Sequence, residues 1–149
     1  MTAEILFMNK IIKHTITKQE KEKITKTISS HLQKHKEIFA VYLFGSYVTG
    51  QQFGDIDLGI LVRNKPENLL EYEFELEIKL EALVKFAVDV RVLNKAPVSF
   101  VQNVIRHGQI IIDSKPNTRS DFESYILRKY FDFAPFRRRY LSEVINAPI

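Results

Sequence analysis

The chain has 149 residues, of which 45% are hydrophobic and 11% aromatic, so we expect one folded domain over residues 1–149 and no intrinsic disorder. It has no cysteine, which excludes disulfides and thiolate metal sites and fits a cytoplasmic location, and it has no apolar run long enough to span a membrane. Its net charge of +4 comes largely from lysines between Lys10 and Lys36 and arginines at 137–139, which we interpret as solvated surface and not as a nucleic-acid site.

The N-terminal half of the chain predicts a helix followed by two strands. Thr17 and Glu20 form a capping-box pattern, and the apolar residues that follow recur at helical spacing, so the helix is predicted from Lys18 to Lys36. Short apolar strands are predicted at 41–44 and 56–62. Between them, a Gly-Ser turn is expected to start a short helix, SYVT.

The segment 66–86 fits two periodicities. Its central sequence LEYEFELEIKL alternates apolar and charged residues as a strand does, but its leucines also form a helical stripe. The length of the segment, and the need for a connection between two strands, favour a helix.

The C-terminal half predicts further alternation of strands and helices. Strands are predicted at 86–93 and 109–112, a helix at 97–106, and a last helix at 119–132 that stops before Pro135. The order of the elements predicts a mixed α/β (α+β) domain in which helices flank the sheet.

Three aspartates interrupt the apolar pattern of two predicted strands. Asp55 and Asp57 lie two residues apart and therefore project from one face, about 6.6 Å apart along the backbone. Asp89 stands in the same way within the third strand, and neighbouring strands would bring it to the same place. Carboxylates this close repel each other unless a cation lies between them, and Mg²⁺ prefers such oxygen ligands. The pattern therefore predicts a magnesium site.

The Gly-Ser turn before these aspartates predicts a phosphate site. Gly45 allows the backbone to approach a ligand closely, and Ser46 offers a hydroxyl and a backbone N–H at the start of the short helix. A Gly-Ser turn or an Asp-x-Asp pair alone would be ordinary surface sequence. The two together, followed by a third aspartate inside a strand, favour a catalytic or metal site.

On these residues, the sequence resembles the minimal nucleotidyltransferases of the DNA polymerase β-like superfamily, whose signature is Gly-Ser, a spacer, Asp-x-Asp and a later aspartate. The stretch FAVDVRVLNKAPVSFVQNVIRHGQIII and the tail SDFESYILRKYFDFAPFRRRY are similar to the MntA antitoxins of MntA–HepT (type VII) toxin–antitoxin pairs.

The resemblance implies a fold, a reaction and a partner. Gly45 and Ser46 would bind the phosphates of ATP, and Asp55, Asp57 and Asp89 would hold two Mg²⁺ ions and perform the catalysis. The implied reaction transfers AMP to a tyrosine of a HEPN-type ribonuclease toxin, with which the chain would form a hetero-oligomer. Thr49 departs from the family pattern, which usually has an arginine there.

The sequence leaves other functions open. The chain could be a binding module of the same fold that masks a toxin without catalysis, or it could transfer a nucleotide to a small molecule or RNA. Aromatic residues and arginines in the tail exceed what a short helix needs to bury, so residues 119–149 are predicted to help dock the partner. Arg91, on the strand face of Asp89, could equally contact a triphosphate or pair with an aspartate.

Overall fold

The computed structural model describes residues 12–146, so residues 1–11 and 147–149 of the expected domain lie outside the described part. Helices and strands alternate along the chain: α1 (Lys18–Leu32), β1 (Ile38–Phe44), α2 (Ser46–Thr49), β2 (Ile56–Val62), α3 (Leu69–Val84), β3 (Val88–Val92), α4 (Val98–His107), β4 (Gln109–Asp113) and α5 (Pro116–Asn146). Within the described range, no helix has the length and apolarity needed to cross a membrane.

The four strands form one mixed sheet in the order β3-β2-β1-β4. β1 runs antiparallel to both of its neighbours, and β2 and β3 are parallel, with α3 as the connection that parallel strands require. The prediction of a mixed sheet flanked by helices is therefore confirmed.

The sheet has a hydrophobic core on each face. Side chains of α1 and α3 cover one face, where Ile28, Leu80 and Ile60 are fully buried. Helices α4 and α5 cover the other face around Val101, Val104 and Ile126. Alternation along β2 and β3 sends one set of side chains into the first core and leaves the other set free to serve a site.

The first helix is shorter than predicted, and the strand after it is longer. α1 begins as expected, with the Thr17 side chain accepting a hydrogen bond from the Glu20 N–H (3.1 Å), but it ends at Leu32 and not at Lys36. Ile38 and Phe39, which lie between the predicted helix and the predicted strand at 41–44, begin β1 and are buried in opposite cores. An adjacent apolar pair fits both a helix and a doubly buried strand, so periodicity could not separate them.

The segment 66–86, whose sequence fits two periodicities, contains the helix α3, as predicted, and three of its glutamates bind the neighbouring strand β3. Glu81, Glu77 and Glu73 accept hydrogen bonds from the backbone N–H groups of Val88, Val90 and Val92 at 3.0, 3.1 and 2.8 Å. These three glutamates, one turn apart on α3, therefore occupy the outward-facing donors of edge strand β3.

The last helix does not stop before Pro135, and this corrects the prediction. α5 runs from Pro116 through Pro135 to Asn146. Pro135 removes a backbone donor from the helix. In the same region, the Arg137 guanidinium donates to the Tyr130 carbonyl (2.8 Å) and lies 3.9 Å from the Tyr130 ring centre. This side-chain bridge spans the turn around the proline and supports continuation of the helix.

The beginning of α5 is fixed to the sheet by a polar network. Arg119 forms ion pairs with Asp113 of β4 and with Glu123 of its own helix, both at 2.9 Å, and Glu123 also accepts a 2.5 Å hydrogen bond from the Tyr42 hydroxyl. Burial, followed by the Glu123 hydrogen bond, raises the pKa of Tyr42 well above its usual value. The inner half of α5 (residues 116–127) is thus held in a fixed position against β1 and β4.

Candidate active site

Three aspartates meet at one end of the sheet. Asp57 and Asp89 are direct partners in the parallel pairing of β2 and β3, and Asp55 lies just before β2. Each carboxylate offers an oxygen that lies within 4.8 Å of the oxygens offered by the other two, and all three residues are half-buried. The structure therefore brings together all the carboxylates that the sequence singled out.

The neighbours of these aspartates explain why they face outward together. Ile56, Leu58, Val88 and Val90 alternate with them along β2 and β3 and are at most 2% exposed in the core beneath α1 and α3. A one-residue register slip would bury the carboxylates and expose the apolar row, so the hydrophobic core fixes the direction of the acidic side chains.

Gly45 contacts this acidic group directly. It has φ of +77°, which favours glycine, and a Cβ at this position would collide with the Asp57 carboxylate. β1 leads to this turn, since Phe44 at its end pairs with Asp57. Only a residue without a side chain allows the turn to lie against the carboxylate.

The turn continues into α2. The Gly45 carbonyl accepts hydrogen bonds from the backbone N–H groups of Val48 and Thr49, both at 3.1 Å, and from the Thr49 hydroxyl at 3.2 Å. No side chain caps the start of this helix, where Ser46 lies half-buried. Thr49 thus stabilises the turn from within.

Tyr47 was not singled out in the sequence, yet it connects the turn to the rest of the fold. Its buried hydroxyl donates to the Lys21 carbonyl of α1 (2.9 Å) and lies 3.1 Å from the Thr25 hydroxyl, and its ring makes an edge contact with Phe53 at 5.0 Å. Burial raises the pKa of Tyr47. The only sequence signal was an aromatic residue directly after Gly-Ser.

A groove of about 1000 Å³ adjoins the site along β3 and α3. Asp89, Arg91 and Lys95 line it, and the exposed side chain of Phe74 lies on its opposite wall. The Arg91 guanidinium lies 5.3 Å from the Phe100 ring centre. Arg91 is therefore held beside Asp89 by an aromatic contact, in a position to meet a ligand in the groove.

The donor set indicates the chemistry that the site can support. Three carboxylates within mutual reach provide hard oxygen ligands and concentrated negative charge, which suits a divalent cation such as Mg²⁺. The adjacent glycine turn offers a hydroxyl and backbone donors to an anion. A cation site beside an anion site can hold a metal-bound phosphate compound.

Comparisons with known proteins agree with this geometry. The family model described as polymerase beta, nucleotidyltransferase, matches residues 26–117, a range that contains the turn and all three aspartates. No curated protein sequence matches the chain significantly.

Several solved structures share the fold. A chain of the complex between the tri-AMPylated HEPN toxin and the MNT antitoxin of Shewanella oneidensis is 22% identical, with a TM-score of 0.70, over 84% of this chain and 98% of that one. A toxin–antitoxin structure with AMP-PNP is 24% identical (TM-score 0.71; 81% and 98% covered). An MntA–HepT structure is 22% identical (TM-score 0.66; 87% and 99% covered).

Proposed function

The chain belongs to the polymerase β nucleotidyltransferase family, and we propose that it transfers AMP from ATP to a tyrosine of a HEPN-type ribonuclease toxin, which it thereby neutralises. The observation that carries this proposal is the convergence of Asp55, Asp57 and Asp89 within 4.8 Å beside the Gly45 turn. A protein that only masked a toxin would have no need for three half-buried acidic groups that repel one another.

The residues of the site take distinct roles in this reaction. Ser46 and the backbone N–H groups of its turn bind the terminal phosphates of ATP, and Asp55 and Asp57 hold the metal. Asp89 holds metal and accepts the proton of the acceptor hydroxyl. The acceptor oxygen forms a bond to the α-phosphorus, the bond from that phosphorus to the bridging oxygen breaks, and pyrophosphate leaves.

The carboxylates would hold two Mg²⁺ ions, a number that fits the use of metal pairs in phosphoryl chemistry. When bound, the ions lower the pKa of the attacking hydroxyl and neutralise the charge on the leaving phosphates. Arg91, in the groove beside Asp89, is placed to contact a phosphate or the acceptor segment.

The partner is proposed from the solved relatives and from the C-terminal helix. The relatives are toxin–antitoxin proteins, one complexed with a tri-AMPylated HEPN toxin and one containing AMP-PNP. In this chain, the outer half of α5 (residues 128–146) carries exposed aromatic and aliphatic side chains: Phe131, Phe133, Phe136, Tyr140, Leu141, Val144 and Ile145. Apolar exposure interleaved with arginines is typical of a docking surface, which supports a hetero-oligomer with the toxin.

The deciding experiment mixes the purified chain with its cognate HEPN-type ribonuclease, Mg²⁺ and ATP labelled on the α-phosphate. We expect label on the toxin, at tyrosine by mass spectrometry, together with loss of its ribonuclease activity. Asp57→Asn should lower labelling by about a hundredfold or more, because it removes a metal ligand. Chelation of magnesium should do the same.

Asp121→Asn, an exposed change on α5, is the matched control and should label as the wild type does. If Asp57→Asn neutralised the toxin as well as the wild type, neutralisation would be steric and the proposal wrong. If label appeared in RNA or a small molecule and not in the toxin, that molecule would be the acceptor of the nucleotide and the toxin would not.

A further inference from the structure

The two edges of the sheet are treated differently. At β3, glutamates of α3 occupy the outward N–H groups of Val88, Val90 and Val92. At β4, on the opposite edge, no further strand pairs along the outer side within residues 12–146. An open edge strand presents unpaired backbone groups to another chain, and proteins usually protect such edges. Among residues 12–146, one edge is therefore protected and the other has no pairing strand.

A basic groove of about 710 Å³ lies over the open edge, between α1 and β4. Lys18, Lys21 and Lys26 line it along α1, with Glu22 as the one acidic residue in its lining. The remaining lining from α1 is polar and uncharged: Thr25, Ser29, Ser30 and Gln33. The groove contains none of the three site aspartates, but Tyr47 and Val48 of α2 also line it, so it borders the Gly45 turn of the candidate active site.

The strand beneath this groove offers different contacts on its two faces. Gln109 pairs with Leu43 and lies on the α1 face, toward the lysines. Ile110 pairs with Tyr42 on the opposite face, where its side chain is 40% exposed, and as an edge residue it also lines the groove beside Ile111. A strand added beside β4 would meet positive charge on one face and apolar surface on the other.

We infer that β4 receives an extended, acidic segment of a partner protein as an additional strand. Backbone hydrogen bonds along the five residues of β4 provide the pairing, and acidic side chains on the α1 face meet the lysines of the groove. A second copy of this chain is a poorer occupant, because antiparallel pairing of two β4 strands would bring two sets of these lysines together.

The probe is the heptapeptide acetyl-Asp-Val-Glu-Val-Asp-Val-Glu-amide, added to the full chain and followed by NMR of backbone amides. We expect shifts confined to β4 and the facing side of α1, with binding that weakens as salt is added. Two N-methylated versions, blocked at alternate residues, test the pairing. Only the version methylated on the residues that face β4 should lose binding.

Charge variants test the groove. Lys18→Glu with Lys26→Glu should weaken peptide binding about tenfold, since two exposed attractions become repulsions. Lys23→Glu with Lys34→Glu makes the same change in net charge outside the groove, and should leave the affinity unchanged.

Several outcomes would overturn the inference. If both methylated peptides bound equally well, charge attraction without strand pairing would explain the binding. If the two charge variants weakened binding equally, the lysines of the groove would not be the binding site. Tighter binding of an RNA oligonucleotide of equal charge would assign the groove to nucleic acid. Self-association of the chain that protects the β4 amides from hydrogen exchange would assign the edge to a second copy.

Discussion

The acidic end of the sheet and the outer half of α5 are built in opposite ways. The acidic end of the sheet, which is the proposed catalytic end, collects half-buried carboxylates from two segments of the chain, and strand register and one glycine fix their positions. The outer half of α5 displays exposed side chains from one continuous helix, including Phe136 and Tyr140 at 64% and 66% exposure.

The two regions should therefore respond differently to amino-acid substitution. A site assembled by long-range pairing loses its geometry when one element shifts by an ångström, so its variants should lose activity. A surface on a single helix keeps its geometry when one side chain is removed, so its variants should lose partner affinity and little else. Three variants test this expected difference between the two regions.

The largest effect is expected from Gly45→Ala. The new Cβ would collide with the Asp57 carboxylate, and a residue with a side chain at φ +77° and ψ −160° costs about 1–3 kcal/mol. We expect nucleotide transfer to fall by about a hundredfold or more, with a loss of about 1–3 kcal/mol in the free energy of unfolding. Transfer assays and urea denaturation of the same preparation measure the two quantities.

Retention of activity by Gly45→Ala would mean that the acidic end of the sheet adjusts as freely as a surface helix does. Partner affinity, measured by calorimetry, serves as the internal control and should not change, since the nearest atoms to a side chain at Gly45 belong to Asp57 and not to α5.

The second effect concerns the outer half of α5. Replacing both Phe136 and Tyr140 by serine should weaken toxin binding by about 2 kcal/mol or more, as loss of interface aromatics commonly does. The free energy of unfolding should change by less than about 0.5 kcal/mol, because both side chains are exposed. Calorimetric titration with the toxin and denaturation of the free chain provide the measurements.

Tyr125→Ser is the matched control, since Tyr125 is a half-exposed aromatic on the inner half of α5. It should bind the toxin as the wild type does. If Tyr125→Ser weakened toxin binding as much as the double variant does, docking would involve the whole helix and its two halves would not differ.

The smallest effect is expected at the beginning of α5, where Arg119 connects the helix to β4. Arg119→Gln removes the ion pairs with Asp113 and Glu123, and because all three side chains are partly buried, the free energy of unfolding should fall by about 1–2 kcal/mol. Hydrogen bonds with Asp113 and Glu123 raise the pKa of Arg119, so its charge is present at every working pH. Thermal melts from pH 6 to 9 should therefore show a constant deficit relative to the wild type, and a deficit that varied with pH would contradict it.

The sequence was sufficient to predict the acidic site because the signal was local. Asp57 and Asp89 break an otherwise apolar alternation, and their neighbours fix which way they face. The helix at 69–84 was predictable for a similar reason, since leucine spacing and length outweighed the alternation of charge.

Other features depended on distant residues that no local pattern reveals. The glutamates of α3 make sense only with the backbone of β3 beside them, and Tyr47 only with α1 against its hydroxyl. Pro135 ended the predicted helix because proline usually does, whereas the Arg137–Tyr130 contact favours its continuation.

The absence of a side chain at Gly45 has a thermodynamic consequence. Because the phosphate turn touches the Asp57 carboxylate, neither can shift without disturbing the other. Occupation of the turn by a triphosphate should therefore change the dissociation constant of Mg²⁺ at the aspartates, and reciprocity requires Mg²⁺ to change the affinity for the triphosphate by the same factor. The two ligands would then load as a linked pair.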